Sequence, residues 1–515
     1  MSRGVVAAGH PLTAEAGART LREGGNAVDA AVAAVMTSFV TESPLTGLGA
    51  GGYMLVHDGA DAEVLDFFVA VPGADGAERS ADLIAVPVYF TPESPQVFHI
   101  GAASCGVPGT PAGLEEALAR HGTVPLAELA APAARLARDG IEVNAEQAGF
   151  MAILEPILTH YGEARAIYAP EGHILAPGDR LRFPDLGDAL ERLGSEGSAP
   201  FYEGEVAAAV ADWVRERGGT LGRDDLAAYA SRPRRPVRAR FAGREVLTNP
   251  PPSSGGILIA FALELLERTG ALDTEGVVAA MEEAQAARTE DFLSGLEQEG
   301  FAERFLDPAR LARGAEQVSE RRRAGAGPIA PGDALGSTTH ITVVDGEGRC
   351  ASVTCSNGTG SGLIVPGTGV HVNNMLGEED LNPHGFHRHA PGRRMPSMMA
   401  PTAVLRDGEL EAVLGSGGSN RIRSAILQTI LRLVAGDRVA DAVLAPRVHF
   451  EAGTVQAEPG ADPEALERLE RRGYGVVRWT ERNVFFGGVH AVARDPDGRF
   501  AGGGDPRRGG AVAVA

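Results

Sequence analysis

From Ser319 to Ser337 the chain reads SERRRAGAGPIAPGDALGS, and two threonines follow at once in TTHITVVD. The first stretch is crowded with Gly, Pro and Ala, which are the signals of a linker. The second alternates polar and apolar residues, as a half-buried strand does. The break at Thr338 also divides the sequence in texture. Ahead of it lie helical patterns such as LEEALARHG, AELAAPAARLARDG, VAAAVADWVRERGG and VVAAMEEAQAARTEDFLSGLEQEG. Behind it lie short strands: CASVTCS, TAVLRDG, LEAVLG and VHAVARD. Such segregation of helices and strands predicts the α+β class. The length of 515 residues would accommodate about three average domains.

Near the start, TAEAGARTLREGGNAVDAAVAAVMTSFVTESP reads as two helices. Thr13 is a candidate N-cap for the first, and Gly24-Gly25 ends it. Asn26 caps the second, with Asp29 completing a capping box. That second helix is apolar on nearly all faces, so it should be buried. Gly47, Gly49 and Gly52 of GLGAGGYMLVHDG match G-x-G-x-x-G. The dinucleotide fingerprint needs a strand before it and a helix after it, and here the order is reversed, so no such cofactor is expected. Further on, FAGREVLTNPPPSSGGILIAFALELLE reads as strand, rigid Pro turn and buried helix.

The net charge is −21, a surface that would repel nucleic acid and acidic lipid. Every basic side chain is Arg, so no lysine serves as base or Schiff-base nucleophile. Cys105, Cys350 and Cys355 form neither a zinc spacing nor a disulfide framework and read as buried thiols. Cys350 and Cys355 flank one strand and should face opposite sides. His384, His387 and His389 lie close together in LNPHGFHRHAPGRR, but no Cys or carboxylate set completes a metal site, and a solvated or substrate-facing loop is the expectation. Arg393 and Arg394 suit either a substrate carboxylate or a structural ion pair. MSRGVVAAGHPLTAEAG breaks its apolar run at His10 and Pro11. It holds no signal-peptide core, no segment reaches membrane-spanning length, and the expected location is the cytoplasm.

Gly346, Glu347 and Gly348 suit a three-residue hairpin turn. That turn pairs Asp345 with Arg349 and Val344 with Cys350. Carried outward, the register sets Thr338 opposite Ser356, where two hydroxyls on one face meet at the open end of the hairpin. A threonine hydroxyl is a poor nucleophile unless a base adjoins it, and a chain-terminal Thr carries its own α-amine. An α-amine has a pKa of about 7.7–8.0, close to that of an ideal general base at neutral pH. Freeing it requires scission between Ser337 and Thr338. Attack of the Thr338 hydroxyl on the Ser337 carbonyl, an N→O acyl shift and hydrolysis would do so. Ser356 would polarise the nucleophile. Downstream, AVLGSGGSNRI enters the helix RSAILQTILRLV. A glycine turn at a helix N-terminus suits the charge of a tetrahedral intermediate.

These residues resemble the γ-glutamyltransferase (glutathione hydrolase) family of N-terminal-nucleophile hydrolases. The likeness runs along almost the whole chain: LREGGNAVDAAVAA, LGAGGYMLV, VPGTPAGLEEAL, LTNPPPSSGG, STTHITVVD, VPGTGVHVNN, RRMPSMMAPT, GSGGSNRI and GGVHAVARDPDGRFAGGGDPRRGG. The resemblance implies autocleavage before Thr338 into a large subunit, 1–337, and a small subunit, 338–515. These would interlace in one four-layer αββα sandwich rather than three domains. It maps the second hydroxyl onto Ser356 and the neighbouring amide onto Asn357. The oxyanion pair falls on Gly417-Gly418 or on Gly418-Ser419. It implies no cofactor and no metal.

The acyl-binding positions depart from the family pattern. Members that hold a γ-glutamyl group carry an Arg after Asp-Phe, and LDFFVAVPG has Phe68 there. After Asn374 of the Asn-Asn pair stand Met375 and, three residues on, Glu378. The Ser-Ser pair reads Ser397-Met398. The resemblance thus implies an amidase or acyltransferase with a small-molecule amide substrate. A γ-glutamyl amide such as glutathione is the family default, and the runner-up is a non-glutamyl acyl group, as in the cephalosporin acylases. An unprocessed homologue acting as a binding protein is the remaining alternative. The acceptor and the oligomeric state stay open.

Overall fold

A computed structural model describes residues 3–91, 94–325 and 338–515. Two antiparallel sheets lie at its centre. One has seven strands, in the order Ala511–Val514, Gly4–Ala8, Thr339–Asp345, Cys350–Ser356, Gly51–His57, Ala62–Phe67 and Arg232–Arg234. The other has six, in the order Phe500–Gly504, Gly488–Arg494, Glu409–Gly417, Thr402–Arg406, Arg244–Thr248 and Val237–Phe241. Helices Pro11–Arg22 and Ala27–Thr41 cover the outer face of the first sheet, and Ser254–Thr269 and Arg421–Val434 that of the second. The order is helix, sheet, sheet, helix, which is the αββα sandwich. The central strands are covered on both faces, so Thr339–Asp345 and Cys350–Ser356 are buried throughout.

Both sides of the Thr338 break feed both sheets. The six-stranded sheet takes Val237–Phe241 and Arg244–Thr248 from before it, and the seven-stranded sheet takes Gly4–Ala8, Gly51–His57, Ala62–Phe67 and Arg232–Arg234. The halves therefore share one core, and the domain count suggested by length does not apply. The strands read at YMLVHD and in FAGREVLT are present, as Gly51–His57 and Arg244–Thr248; Gly4–Ala8 was missed because GVVAA is apolar on both faces and lacks the period of a half-buried strand.

Local readings fared unevenly. Asn26 and Asp29 form the predicted capping box on a helix whose every residue is buried. The preceding helix starts earlier than expected: His10, not Thr13, is its N-cap, through Nδ1 and the Leu12 N–H at 3.1 Å. The run from Ser319 is still helical as far as Ala324, so the linker reading is too long at its start. The rest of that reading, residues 326–337, lies outside the described residues. Cys350 and Cys355 face opposite sides of their strand, and all three cysteines are buried. Gly49 serves packing: a Cβ there would lie 2.0 Å from the His371 carbonyl oxygen. Among the described residues no group of His, Cys, Asp and Glu is placed to hold a metal, and no helix is long and apolar enough to cross a membrane.

The C-terminal DPRRGG segment is tied down by a buried ion cluster. Asp505 accepts from Arg447 at 2.7 Å and from Arg507 at 3.0 Å, and Glu458 accepts from Arg507 at 2.7 Å. The Asp505 carboxylate also takes the N–H groups of Val489 and Arg507. Removing one partner of such a cluster leaves buried charge uncompensated. Asp505→Ala should lower stability by about 3–5 kcal/mol, read as a fall in the denaturant midpoint. A change below 1 kcal/mol would mean that water reaches this cluster.

Candidate active site

The hairpin has the register read from the sequence. Thr339 pairs with Cys355 and Val344 with Cys350, and the next step outward sets Thr338 opposite Ser356. Asp345 N–H donates to the Arg349 carbonyl at 3.0 Å across the turn. Side chains alternate along the strand. Thr338 and His340 face the second sheet, while Thr339 faces the helical layer.

Thr338 opens onto a small cleft. Phe68, Ser356, Met375, Glu378, Ser397 and Ser419 line it, as does Thr338 itself. Seven of the expected residues, from six separate stretches of chain, thus meet in one place. Met398, Met399, Leu381 and Ile422 add apolar wall, and Asp380 adds a second carboxylate. Ser356 Oγ accepts the Gly358 N–H at 2.8 Å, which orients its own proton.

Other expected residues stand elsewhere. Asn357 is fully buried, its amide facing Gly47, and neither of its side-chain polar atoms has a hydrogen-bond partner among the described residues. Asn374 braces the loop at Thr359, accepting its N–H at 2.8 Å and donating to its hydroxyl at 2.9 Å. Neither lines the cavity. Gly417 ends a strand and is paired with Gly488, whereas Gly418 and Ser419 form the turn into helix Arg421–Val434 at φ 119° and 50°. Ser337 lies outside the described residues. Of the histidine loop, His389 contacts the Leu381 carbonyl at 3.1 Å, and His384 and His389 border a separate recess with Arg388. Arg394 proves to be a structural cation: it donates to Asp66 at 3.1 Å, and Arg234 reaches the same carboxylate at 2.8 Å.

No basic side chain lines the cavity among the described residues. His340, two residues from the nucleophile, is committed to Thr354 and Thr342, at 2.9 Å each. Burial holds its pKa well below the usual imidazole range, so it is a neutral buried spacer. Glu378 is raised, first by burial and next by the charge of Asp380.

Behind the strand lies a second set that the sequence reading missed. Glu42, which ends the buried helix, accepts the Thr339 hydroxyl. Arg508 donates to the Thr338 carbonyl at 3.3 Å. Gly9 leaves room for this: a Cβ there would lie 2.4 Å from Glu42 Oε2. Thr338 is thus held through its carbonyl and through its neighbour. A Glu just past an apolar helix carries no local signal of such a role.

The whole chain can now be compared with known proteins. A family model described as gamma-glutamyltranspeptidase matches residues 13–515. The chain belongs to this family. It is 32% identical to the glutathione hydrolase proenzyme of Escherichia coli, over 98% of this chain and 90% of that one. It is 34% identical to the acylase ACY 1 proenzyme of a Pseudomonas strain, over 97% and 91%. The fold matches the crystal structure of cephalosporin acylase from Bacillus halodurans with a TM-score of 0.83 at 26% identity, over 99% and 96%. The protein is therefore an enzyme of the N-terminal-nucleophile hydrolase type.

Glu42 makes a testable contribution to stability. Burial, partly opposed by Thr339, Thr13 and Arg508, raises its pKa from 4.5 to about 7. Over that interval the folded state holds a proton that the unfolded chain has released. Stability therefore falls as pH rises from about 4.5 to 7, by about 3 kcal/mol in all. Glu42→Gln should remove this fall. With Thr338→Ala in both chains to keep each in one piece, the variant should gain on its parent between pH 5 and pH 8 in urea unfolding. A parallel pH dependence in both would place the Glu42 proton equilibrium outside folding.

Proposed function

We propose that the protein is a self-processing amidase whose acyl group is largely apolar. The observation that carries this is the nucleophile cavity itself: Thr338 opens it, and no cation lines it among the described residues. No histidine or lysine stands there, and the base assigned to Thr338 is its own α-amine, which exists only after scission from Ser337. Relatives named as proenzymes support this reading. The two products, 1–337 and 338–515, stay together because they share both sheets.

In the cut enzyme the α-amine takes the Thr338 hydroxyl proton as Oγ attacks the amide carbonyl. The backbone N–H groups of Gly418 and Ser419 hold the oxyanion at the helix N-terminus. The ammonium then protonates the leaving amine, and an acyl ester remains on Thr338. Water, deprotonated by the same amine, releases the acid; an amine acceptor in its place gives a new amide. Ser356 polarises Oγ from across the hairpin.

The acyl preference follows from charge. A γ-glutamyl head brings an α-carboxylate into a cavity that already holds Glu378 and Asp380. Each charge-assisted bond withheld from it costs about 1.5–3 kcal/mol. Arg234 and Arg394 are engaged with Asp66, and Arg508 donates to the Thr338 carbonyl. Phe68, stacked on Tyr53 at 5.5 Å, presents a ring where a clamp would stand. Phe68, Met375, Met398 and Met399 suit an uncharged aliphatic or aromatic acyl chain.

The test is release of p-nitroaniline from phenylacetyl- and γ-glutamyl-p-nitroanilide, with Thr338→Ala as the blank. Thr338→Ala should run as one uncut chain of 53.4 kDa and release nothing. The parent should run as two fragments and favour the phenylacetyl compound by about tenfold or more in kcat/KM, a difference of about 1.4 kcal/mol. A preference for the γ-glutamyl compound would reverse the acyl assignment and leave the nucleophile standing. An uncut, inactive parent would remove both.

A further inference from the structure

The turn that follows the Glu409–Gly417 strand is held from two sides. At Gly418 a Cβ would lie 2.9 Å from the Cα of Gly487, so that flank is closed by backbone. On the other flank the Ser419 hydroxyl donates to Asp380 Oδ2. Ser419 has φ 50°, in the left-handed region that favours glycine. Asp380 belongs to the loop that also brings Met375 and Glu378 to the cavity. One side-chain hydrogen bond therefore joins the acyl-binding loop to the oxyanion turn.

We propose that Asp380 is a positioning residue for the oxyanion site: by accepting the Ser419 hydroxyl it holds the 418–419 turn in the left-handed conformation that presents its N–H groups to the reacting carbonyl. The proposal rests on the reading of Gly418 and Ser419 as oxyanion donors. It does not depend on which acyl group the enzyme takes. Ser419 plays two parts that separate by substitution. Alanine keeps the conformational demand of a Cβ and loses the tie. Glycine loses the tie and also the demand, since it enters the left-handed region freely. Asp380 acts through Ser419, so its effect should vanish wherever Ser419 no longer needs holding.

The consequence for the enzyme is a link between filling the acyl pocket and ordering the oxyanion donors. Met375, Glu378 and Asp380 are within one short segment, and a ligand that packs against Met375 bears on the loop that carries Asp380. Glu378 stands beside Asp380 and takes the Thr359 N–H at 3.1 Å, which anchors the loop at its other side. The Asp380 carboxylate is thereby fixed relative to the rest of the wall and can serve as a strut rather than a swinging arm.

The experiment uses the self-cleaved enzyme and p-nitrophenyl acetate, whose acetyl group is too small to need a matched acyl pocket. Ser419→Ala and Asp380→Asn should each lower kcat about tenfold or more, within the range lost when oxyanion donors are disturbed, with KM little changed. Ser419→Gly should recover most of the loss. Asp380→Asn should then add nothing in the Ser419→Gly background, the non-additivity expected of two residues acting as one unit. Rates are referred to the quantity of cut protein, so a purely structural role would lower yield and midpoint but leave kcat. If Asp380→Asn costs as much beside Ser419→Gly as alone, Asp380 acts directly on substrate or fold and the proposal fails. If Asp380→Asn does not mature, the Ser419 pair decides: a parental kcat in Ser419→Ala overturns the proposal.

Discussion

The pairing of Thr339–Asp345 between two neighbours governs this molecule. Gly4–Ala8 fixes one edge and Cys350–Ser356 the other. From Thr339 onward the strand is held by Cys350–Ser356, and from Thr342 onward by Gly4–Ala8 as well. Thr338 is the first residue beyond that grip, which leaves its side chain and nitrogen at the cavity wall. On the proposed function, a nucleophile that must also be a chain terminus needs this compromise. One residue deeper, and the strand would trap its amine in a ladder. One residue further out, and nothing would hold it. The Arg508 contact to its carbonyl and the Glu42 contact to Thr339 stiffen that single step.

The alternation of the strand sorts the chemistry into layers. Toward the second sheet lie Thr338, the cavity and the neutral His340. Toward the helices lies Thr339 with Glu42. The buried carboxyl is therefore kept on the opposite side of the strand from the nucleophile, where it can brace the backbone without entering the reaction. Asp505 extends the same logic: it fixes Arg447 and Arg507 and so sets the direction of the chain at Arg508.

Much of this was legible in the sequence where it was local. The hairpin register followed from a three-residue turn and period-two alternation, and the Asn26 capping box from spacing alone. The cavity was legible only through resemblance, since Phe68, Met375, Glu378, Ser397 and Ser419 come together by topology and not by spacing. Two residues that the resemblance sets at the ligand stand off the cavity wall. Asn357 is fully buried, and Asn374 holds a loop, since an amide's donors and acceptor suit neighbouring backbone and hydroxyl groups equally. Asn374 is engaged in that way by Thr359. Glu42 and Arg508 were invisible because they are brought together across more than 450 residues, with only packing to specify them.

The cavity's two acids and its missing base explain one another. A histidine placed beside Glu378 and Asp380 would be drawn toward its protonated form and would be a poor base at neutral pH. In the proposed mechanism the same pull acts on the Thr338 α-amine. It is limited because burial and the charge of Asp380 raise Glu378 and so favour its neutral form. Asp380 accepts the Ser419 hydroxyl. A cavity with both acids fully ionised would hold the amine as ammonium and stop the reaction. One with neither would lose the tie on the oxyanion turn. A closely spaced acid pair, with one member raised, supplies a fixed acceptor for the turn while leaving the amine able to take a proton.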